Sequence, residues 1–403
     1  KSVFGKIAAL AARGMDFGTT RTRRMLDALG GPDGKLKIIH IAGTNGKGST
    51  AEYVTRILVA AGRRTGTFSS PEVYSYFEQF RIDGKTVERR RLAQCFLRAY
   101  EVAESLGATR FEAETAGALL AFAESGCEYA VVECGLGGLN DATNAVNKKE
   151  LAIITSIGLE HTSVLGGTLE GICAHKAGII KNCPALVNAY QCGEVKKYFE
   201  NTGAFFCVPS EISERGFTYG GERYRIKMYG EAQAYNAACA VEAARRLNIG
   251  ADAIRKGIES TELPGRCEVI KKDRIYILDG AHNPQSFLPL SDLLKKYADK
   301  KITVIYGCLS DKDAAGCLKI LSSLAQSIIA VPTRGVRACG ARETLEVCKK
   351  LFKNARCEES AEKALNTADG EVIAVCGTFT ILKEAKQAIR RRSYGQAKGD
   401  KSR

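Results

Sequence analysis

The sequence predicts an α/β protein with parallel sheets in two domains. Three observations carry that expectation. Short apolar runs, LKIIHIA (Leu36 to Ala42), YAVVECG (Tyr129 to Gly135) and LAIITSIG (Leu151 to Gly158), read as buried parallel strands. Helical patterns alternate with them. In STAEYVTRILVAAG (Ser49 to Gly62), Val54, Ile57, Leu58 and Ala61 share one face. After the Pro- and Gly-containing segment TELPGRCEVIKKD (Thr261 to Asp273) a second series begins: RIYILDGAHN, KITVIYGCLSD, SIIAVP and EVIAVCGT. Such alternation implies a parallel sheet covered by helices.

Each element has a local reason. Ser49 and Thr50 are suitable first-turn residues for the helix after the first strand. AQAYNAACAVEAARRL (Ala232 to Leu247) is a strong helix. Between Asn188 and Tyr229 the chain is richer in Tyr, Phe and Gly, which suggests a β-rich insertion. The last residues, RRRSYGQAKGDKSR (Arg390 to Arg403), are polar and basic, and read as a disordered tail. No internal repeat is found.

Composition narrows the class. With 403 residues the chain is long enough for two or three domains. Its 45% apolar and 26% charged content suits a soluble globular protein. No apolar run approaches the roughly 18 residues of a membrane span, and no secretory signal opens the chain, so no membrane partner is expected. The 15 cysteines include no C-x-x-C pair and no zinc spacing. They read as buried thiols in a reducing cytoplasm. The net charge of +14 fits nucleic acid or an anionic substrate. The basic tail lacks interleaved aromatics, so no nucleic-acid partner is expected.

HIAGTNGKGST (His40 to Thr50) sits between the first strand and its helix. It departs from the usual phosphate-loop pattern, G-x-x-x-x-G-K-[ST]. Only two residues separate Gly43 from Gly46, and Gly48 stands between Lys47 and Ser49. Strand, glycine loop, helix is still the context a phosphate loop requires. A helix N-terminus attracts negative charge by only about 0.3–1 kcal/mol. Lys47 and a metal must therefore supply most of the electrostatics. His40, at the strand's end, is expected to face the core.

AGTNGKGST resembles the phosphate loop of the Mur ligase superfamily, and most closely that of folylpolyglutamate synthases. FSSPEVYSYFEQFRIDG, RFEAETAGALLAF, VECGLGGLNDATNAV, SIGLEHTSVLG, AHKAGIIK, AQAYNAACA, LPGR, LDGAHNP, YGCLSDKD and VCGTFTIL follow in family order. The resemblance implies a phosphate-loop-containing Mur-ligase-like α/β domain over residues 1–263. A linker over 264–272 and a smaller Rossmann-like glutamate-ligase α/β domain over 273–390 follow, then the tail over 391–403. It implies a ligase that uses ATP and one or two Mg²⁺ ions. An acyl phosphate forms on the folate carboxylate and is attacked by L-glutamate. Tetrahydrofolate and dihydropteroate are both open as the folate. A cytoplasmic monomer is expected.

The same resemblance implies the site. Gly43, Thr44, Asn45, Gly46, Lys47, Gly48, Ser49 and Thr50 would hold ATP, with Asn236 at the adenine and Arg266 and Asp279 from the second domain. Ser70, Glu133, His161 and a carbamylated Lys176 would hold metal. Lys47, Lys176 and His282 would act in catalysis, with Thr378 near the incoming glutamate. Carbamylation needs a neutral amine, hence a lysine whose pKa is lowered. A site drawn from two domains implies hinge closure.

Five positions depart from the family pattern. Leu139 and Gln79 replace arginines, Glu72 and Ala232 replace histidines, and His175 replaces a glutamate. The ATP and metal machinery is expected to be intact, with the changes falling on the pterin side. Two alternatives remain open: a Mur-type ligase acting on a cell-wall precursor, and a nucleotide-binding relative without ligase activity.

Overall fold

The computed structural model describes residues 2–335 and 337–399. The chain divides into two compact units. One is Lys1–Lys227 with Glu231–Glu262; the other is Met228–Gly230 with Leu263–Arg403.

The first unit holds an eight-stranded sheet. Its order is Lys85–Thr86, Phe80–Ile82, Thr65–Phe68, Tyr129–Glu133, Lys37–Ala42, Leu151–Ile154, Ala185–Asn188, Phe205–Cys207. The last six are parallel. The first two run antiparallel at one edge, so the sheet is mixed rather than purely parallel. Asp83 and Gly84, at φ 52° and 74°, make the tight turn that permits this hairpin. The central strand Lys37–Ala42 is buried but for its first residue, as a strand covered on both faces must be.

The expected β-rich insertion is only partly β. Residues Gly193–Glu200 form a helix, because Val195 and Phe199, four apart, bury together on one face. Phe205–Cys207 then joins the main sheet. Ser210–Ser213, Gly216–Tyr219 and Glu222–Arg225 make a small antiparallel sheet.

The second unit holds a six-stranded sheet in the order Glu268–Lys271, Ile275–Leu278, Val372–Cys376, Ile302–Tyr306, Ser327–Ala330, Ala355–Cys357. Its first strand is antiparallel and the rest are parallel. The segment expected as a linker over 264–272 is therefore largely structured: Glu268–Lys271 is an edge strand paired with Ile275–Leu278. Its charges suit a partly exposed edge, which is why it reads as a linker. The tail expected to be disordered from residue 391 is also corrected in part. The final helix runs Leu382–Gly399, docked by buried Leu382, Ala385, Ala388 and Ile389 at helical spacing. Arg391 pairs with Glu362 at 3.1 Å, and Arg392 donates to Asn366 at 2.7 Å. Residues 400–403 lie outside the described residues. The cysteines are free thiols and mostly buried. Among the described residues no helix is long and apolar enough to cross a membrane.

Candidate active site

In the first unit the loops that follow Lys37–Ala42, Tyr129–Glu133 and Leu151–Ile154 gather at the carboxyl ends of neighbouring strands. That crevice is where open α/β sheets bind ligands. The helix Lys47–Ala60 starts there. Its N-cap, Gly46, is left-handed at φ 88°, and no side chain caps the helix end. The loop is seated on the segment after Leu151–Ile154. The Thr44 and Asn45 amides both donate to the Ser156 carbonyl, at 2.8 and 3.1 Å. The Thr44 hydroxyl bonds the Gly158 backbone on both sides, donating to its carbonyl at 3.0 Å and accepting from its N–H at 3.1 Å. Two glycines are obligatory. A Cβ on Gly43 would lie 1.8 Å from Thr155 Oγ1, and one on Gly46 would lie 2.5 Å from Asn236 Oδ1.

Lys47 curls back over this loop. Its Nζ donates to the Thr44 carbonyl at 3.2 Å and stands 4.0 Å from Glu133 Oε1. Glu133 is 4% exposed at the end of its strand, and its other oxygen accepts from the Ser70 amide at 3.3 Å. A small cleft is lined by Gly43, Lys47, Cys134, Glu160, His161 and Lys176, with Gly135 to Gly137. Lys176 lies on the helix Leu169–Ala177 and is 3% exposed. Burial, and then the Lys47 ammonium, pull its pKa down to about 7, while Glu160 opposes the shift. His161 is left-handed at φ 52°, with Nε2 3.8 Å from Glu160 Oε1.

The structure thus gathers Gly43, Lys47, His161 and Lys176 on one cleft, with Glu133 beside Lys47 and Ser70 tied to Glu133 through its backbone. Among the described residues no group of three or more His, Cys, Asp or Glu side chains could by itself hold a metal. One carboxylate is still a fitting donor set for Mg²⁺, which is commonly held by one or two carboxylates, substrate phosphates and water. Ser49 and Thr50 are buried in the first turn of the helix. Asn236, 3% exposed, packs against Gly46. His40 is fully buried, with Nε2 2.8 Å from Thr143 Oγ1, and burial holds it well below the usual imidazole pKa.

Two departures have clear surroundings. Leu139 is 46% exposed, and its amide donates to the His175 carbonyl at 2.7 Å. It thereby ties the GLGG loop to the helix that bears Lys176. Gln79 is buried and donates to the Tyr76 carbonyl at 3.2 Å.

In the second unit Asp279 does not cap a helix. Its two oxygens accept from the Cys267 and Ala281 amides, each at 2.6 Å. This ties the start of the edge strand to the end of Ile275–Leu278. The Arg266 guanidinium lies 4.7 Å from the centre of the Phe379 ring. His282 Nδ1 is 2.9 Å from the Gly280 carbonyl, which can only accept, so Nδ1 carries a proton. Thr378 caps the short helical turn Phe379–Ile381.

Sequence reasoning missed Glu160, Cys134, Asn188 and Gln191. Glu160 and Cys134 stand inside recognisable motifs and could have been singled out. Asn188 and Gln191 stand in VNAYQ, which carries no chemical signature.

A glycine loop with an ordered lysine, beside a strand-end glutamate and a second buried lysine, defines a Mur-type ligase core. Residues 83–244 match the Mur ligase middle domain, and 265–379 match the Mur ligase glutamate ligase domain. A dihydrofolate synthase/folylpolyglutamate synthase of Mycobacterium tuberculosis is 32% identical, over 80% of this chain and 76% of its own. A solved structure of Escherichia coli FolC in complex with DHPP and ADP superposes with a TM-score of 0.86 at 29% identity, covering 98% of this chain and 99% of that one. A Yersinia pestis bifunctional folylpolyglutamate synthase/dihydrofolate synthase, solved with AMPPNP and Mn ion, gives 0.83 at 30% identity over 97% and 98%. The chain belongs to the dihydrofolate synthase/folylpolyglutamate synthase family.

Proposed function

We infer that the protein is an ATP- and divalent-metal-dependent ligase that joins L-glutamate to a folate through an amide bond. The observation that carries this reading is the single cleft on which the glycine loop, Lys47 and Lys176 converge beside Glu133. The γ-phosphoryl group of ATP passes to the folate carboxylate, giving an acyl phosphate and ADP. The glutamate amine attacks the acyl carbon, loses a proton and expels phosphate.

The chain's own groups fit these steps. Gly43 to Thr50 cradle the phosphates, and Lys47 neutralises charge as it moves to the transferred oxygens. Asn236 contacts the adenine. Glu133, with Ser70 and His161, would hold a divalent metal, which would supply positive charge against the phosphate oxygens. Lys176, with its pKa near 7, offers a neutral amine to CO₂. The products are a carbamate and a proton, and the carbamate is a further anionic oxygen donor for metal. Arg266, stacked on Phe379, keeps its donor edge for phosphate oxygens. Asp279 holds the turn between Cys267 and Ala281 that lies beside Arg266. His282, its ring oriented by the Nδ1 bond to the Gly280 carbonyl, would take the proton from the glutamate amine.

ATP-dependent incorporation of labelled L-glutamate tests the reading, with dihydropteroate and tetrahydrofolate offered separately. Product on both identifies a bifunctional synthase, and product on tetrahydrofolate alone a polyglutamylating enzyme. No product on either, with Mg-ATP still bound, overturns the folate assignment. For Lys176, stripping CO₂ should lower the rate and bicarbonate should restore it; a rate indifferent to both removes the carbamate.

A further inference from the structure

A chain of side-chain amides runs beneath the phosphate loop, and one backbone group sets its direction. The Tyr190 N–H donates to Asn188 Oδ1 at 2.8 Å. A backbone amide can only donate, so the Asn188 oxygen is committed and its Nδ2 must face the other way. Nδ2 donates to Asn236 Oδ1 at 2.9 Å. Asn236 in turn presents its own Nδ2 to Gln233 Oε1 at 3.3 Å. Gln233 Nε2 then donates to Ser49 Oγ at 3.4 Å, in the first turn of the phosphate-loop helix.

A second amide braces the near end. Gln191 Oε1 accepts from the Ile157 N–H at 2.8 Å, so its Nε2 donates to the Asn188 and Thr155 carbonyls, at 2.9 and 3.0 Å. Thr155 and Ser156 are the residues on which the phosphate loop rests. Asn188 is 1% exposed, so water does not interrupt the chain there.

We propose that Asn188 is a positioning residue for nucleotide binding: by fixing the polarity of the relay Asn188→Asn236→Gln233→Ser49, it makes the Ser49 hydroxyl accept from Gln233 and so aims its proton at the nucleotide. The relay also turns the Asn236 amide so that its oxygen faces inward and its nitrogen carries the remaining donor. This rests on the reading that Ser49 and Asn236 meet Mg-ATP. The reach of the effect follows from each amide having one donor end and one acceptor end. Reversing the first link reverses all of them.

Asn188→Asp reverses it with almost no change of shape. The aspartate still accepts from Tyr190 N but offers only an oxygen to Asn236. Asn236 and Gln233 must then turn over, and Ser49 is left donating to Gln233 rather than to the nucleotide. Mg-ATP dissociation constants, measured by calorimetry on the full chain, form a cycle of wild type, Asn188→Asp, Ser49→Ala and the double variant. The proposal expects Asn188→Asp to weaken Mg-ATP about tenfold in the wild-type background and less than about twofold beside Ser49→Ala. An equal loss in both backgrounds overturns it, since charge repulsion or general damage would not depend on the Ser49 hydroxyl. No loss in the wild-type background overturns it as well. If Asn188→Asp does not fold, Gln233→Glu decides by the same cycle: a half-buried glutamate keeps the Asn236 bond and offers only acceptors to Ser49. Ser49→Ala alone leaving Mg-ATP affinity unchanged overturns the role of Ser49 in the nucleotide site and the relay with it, which separates the two failures.

Discussion

The two units each contain a strand, a short loop and a helix at the heart of their candidate chemistry, and the two junctions are finished in opposite ways. In the first, Gly43 to Gly46 leads into Lys47–Ala60, and no side chain closes the helix end. In the second, Asp279 to Asn283 leads into Pro284–Lys295. Asn283 Oδ1 accepts from the Ser286 amide at 2.9 Å, Ser286 Oγ accepts from the Asn283 amide at 3.0 Å, and Pro284 removes one N–H outright. The first junction keeps its dipole and amides for an outside anion. The second satisfies itself and becomes a rigid frame for His282. On the proposed reading, phosphate binding and amine handling call for different ends on the same supersecondary unit.

The largest effect should come from the open junction. Lys47→Ala is expected to lower kcat for glutamate ligation by about 100- to 1,000-fold, since it removes a cation aimed at developing phosphoryl charge. Its melting temperature should barely move, because the lysine's bonds are to a loop carbonyl and a distant carboxylate. A variant whose melting temperature falls by several degrees while its rate is kept would break the comparison.

In the closed junction the order reverses, and stability should suffer. Asp279→Asn turns an NH₂ toward one of two buried amides that now share the carboxylate. Leaving one of them unsatisfied costs about 1–3 kcal/mol. Denaturant titration should show the loss, with Mg-ATP affinity the check on its local reach. Asn283→Ala removes the cap and should cost about 1 kcal/mol. That corresponds to roughly 2–4 °C in melting temperature. If Asn283→Ala instead abolishes ligation without lowering stability, the second junction is not the passive frame described above.

What the sequence made legible follows the same division. Gly43, Lys47, Glu133 and Lys176 could be read because each stands in a contiguous motif whose chemistry is local. The alternation of strands and helices could be read because burial on both faces leaves long apolar runs. The edge strand Glu268–Lys271 could not, since an exposed edge needs no apolar run and its charges imitate a linker. The final helix reads as a tail beyond Arg390 because the sequence RRRSYGQAKG offers no apolar stripe. The Asn188 relay was beyond reach for another reason. Its members come from the end of one strand, a helix some 45 residues later and the phosphate-loop helix, and only folding brings the amides into line.

The contrast between the units extends to their buried cations. The second unit holds the mostly buried Lys386 against the Glu268 carboxylate. The first unit holds Lys149, 5% exposed, by two neutral acceptors: Asn144 Oδ1 and the Ile179 carbonyl, each at 2.6 Å. Burial pulls the pKa of Lys149 down to about 8 from an ordinary 10.5. Above about 8 the folded state sheds a proton that the unfolded state still binds, so this group makes stability rise with pH from about 8 toward 10.5. Below about 8 both states are protonated and the penalty is full and constant. The slope is at most about 1 kcal/mol per pH unit. In Lys149→Met the slope should vanish, so the stability of wild type minus that of the variant should be flat below pH 8 and climb above it. Urea midpoints across that range measure the difference, and other titrations cancel in it. A flat difference throughout would mean that Lys149 keeps an ordinary pKa through hydration, and that the first unit shields its buried cations no differently from the second.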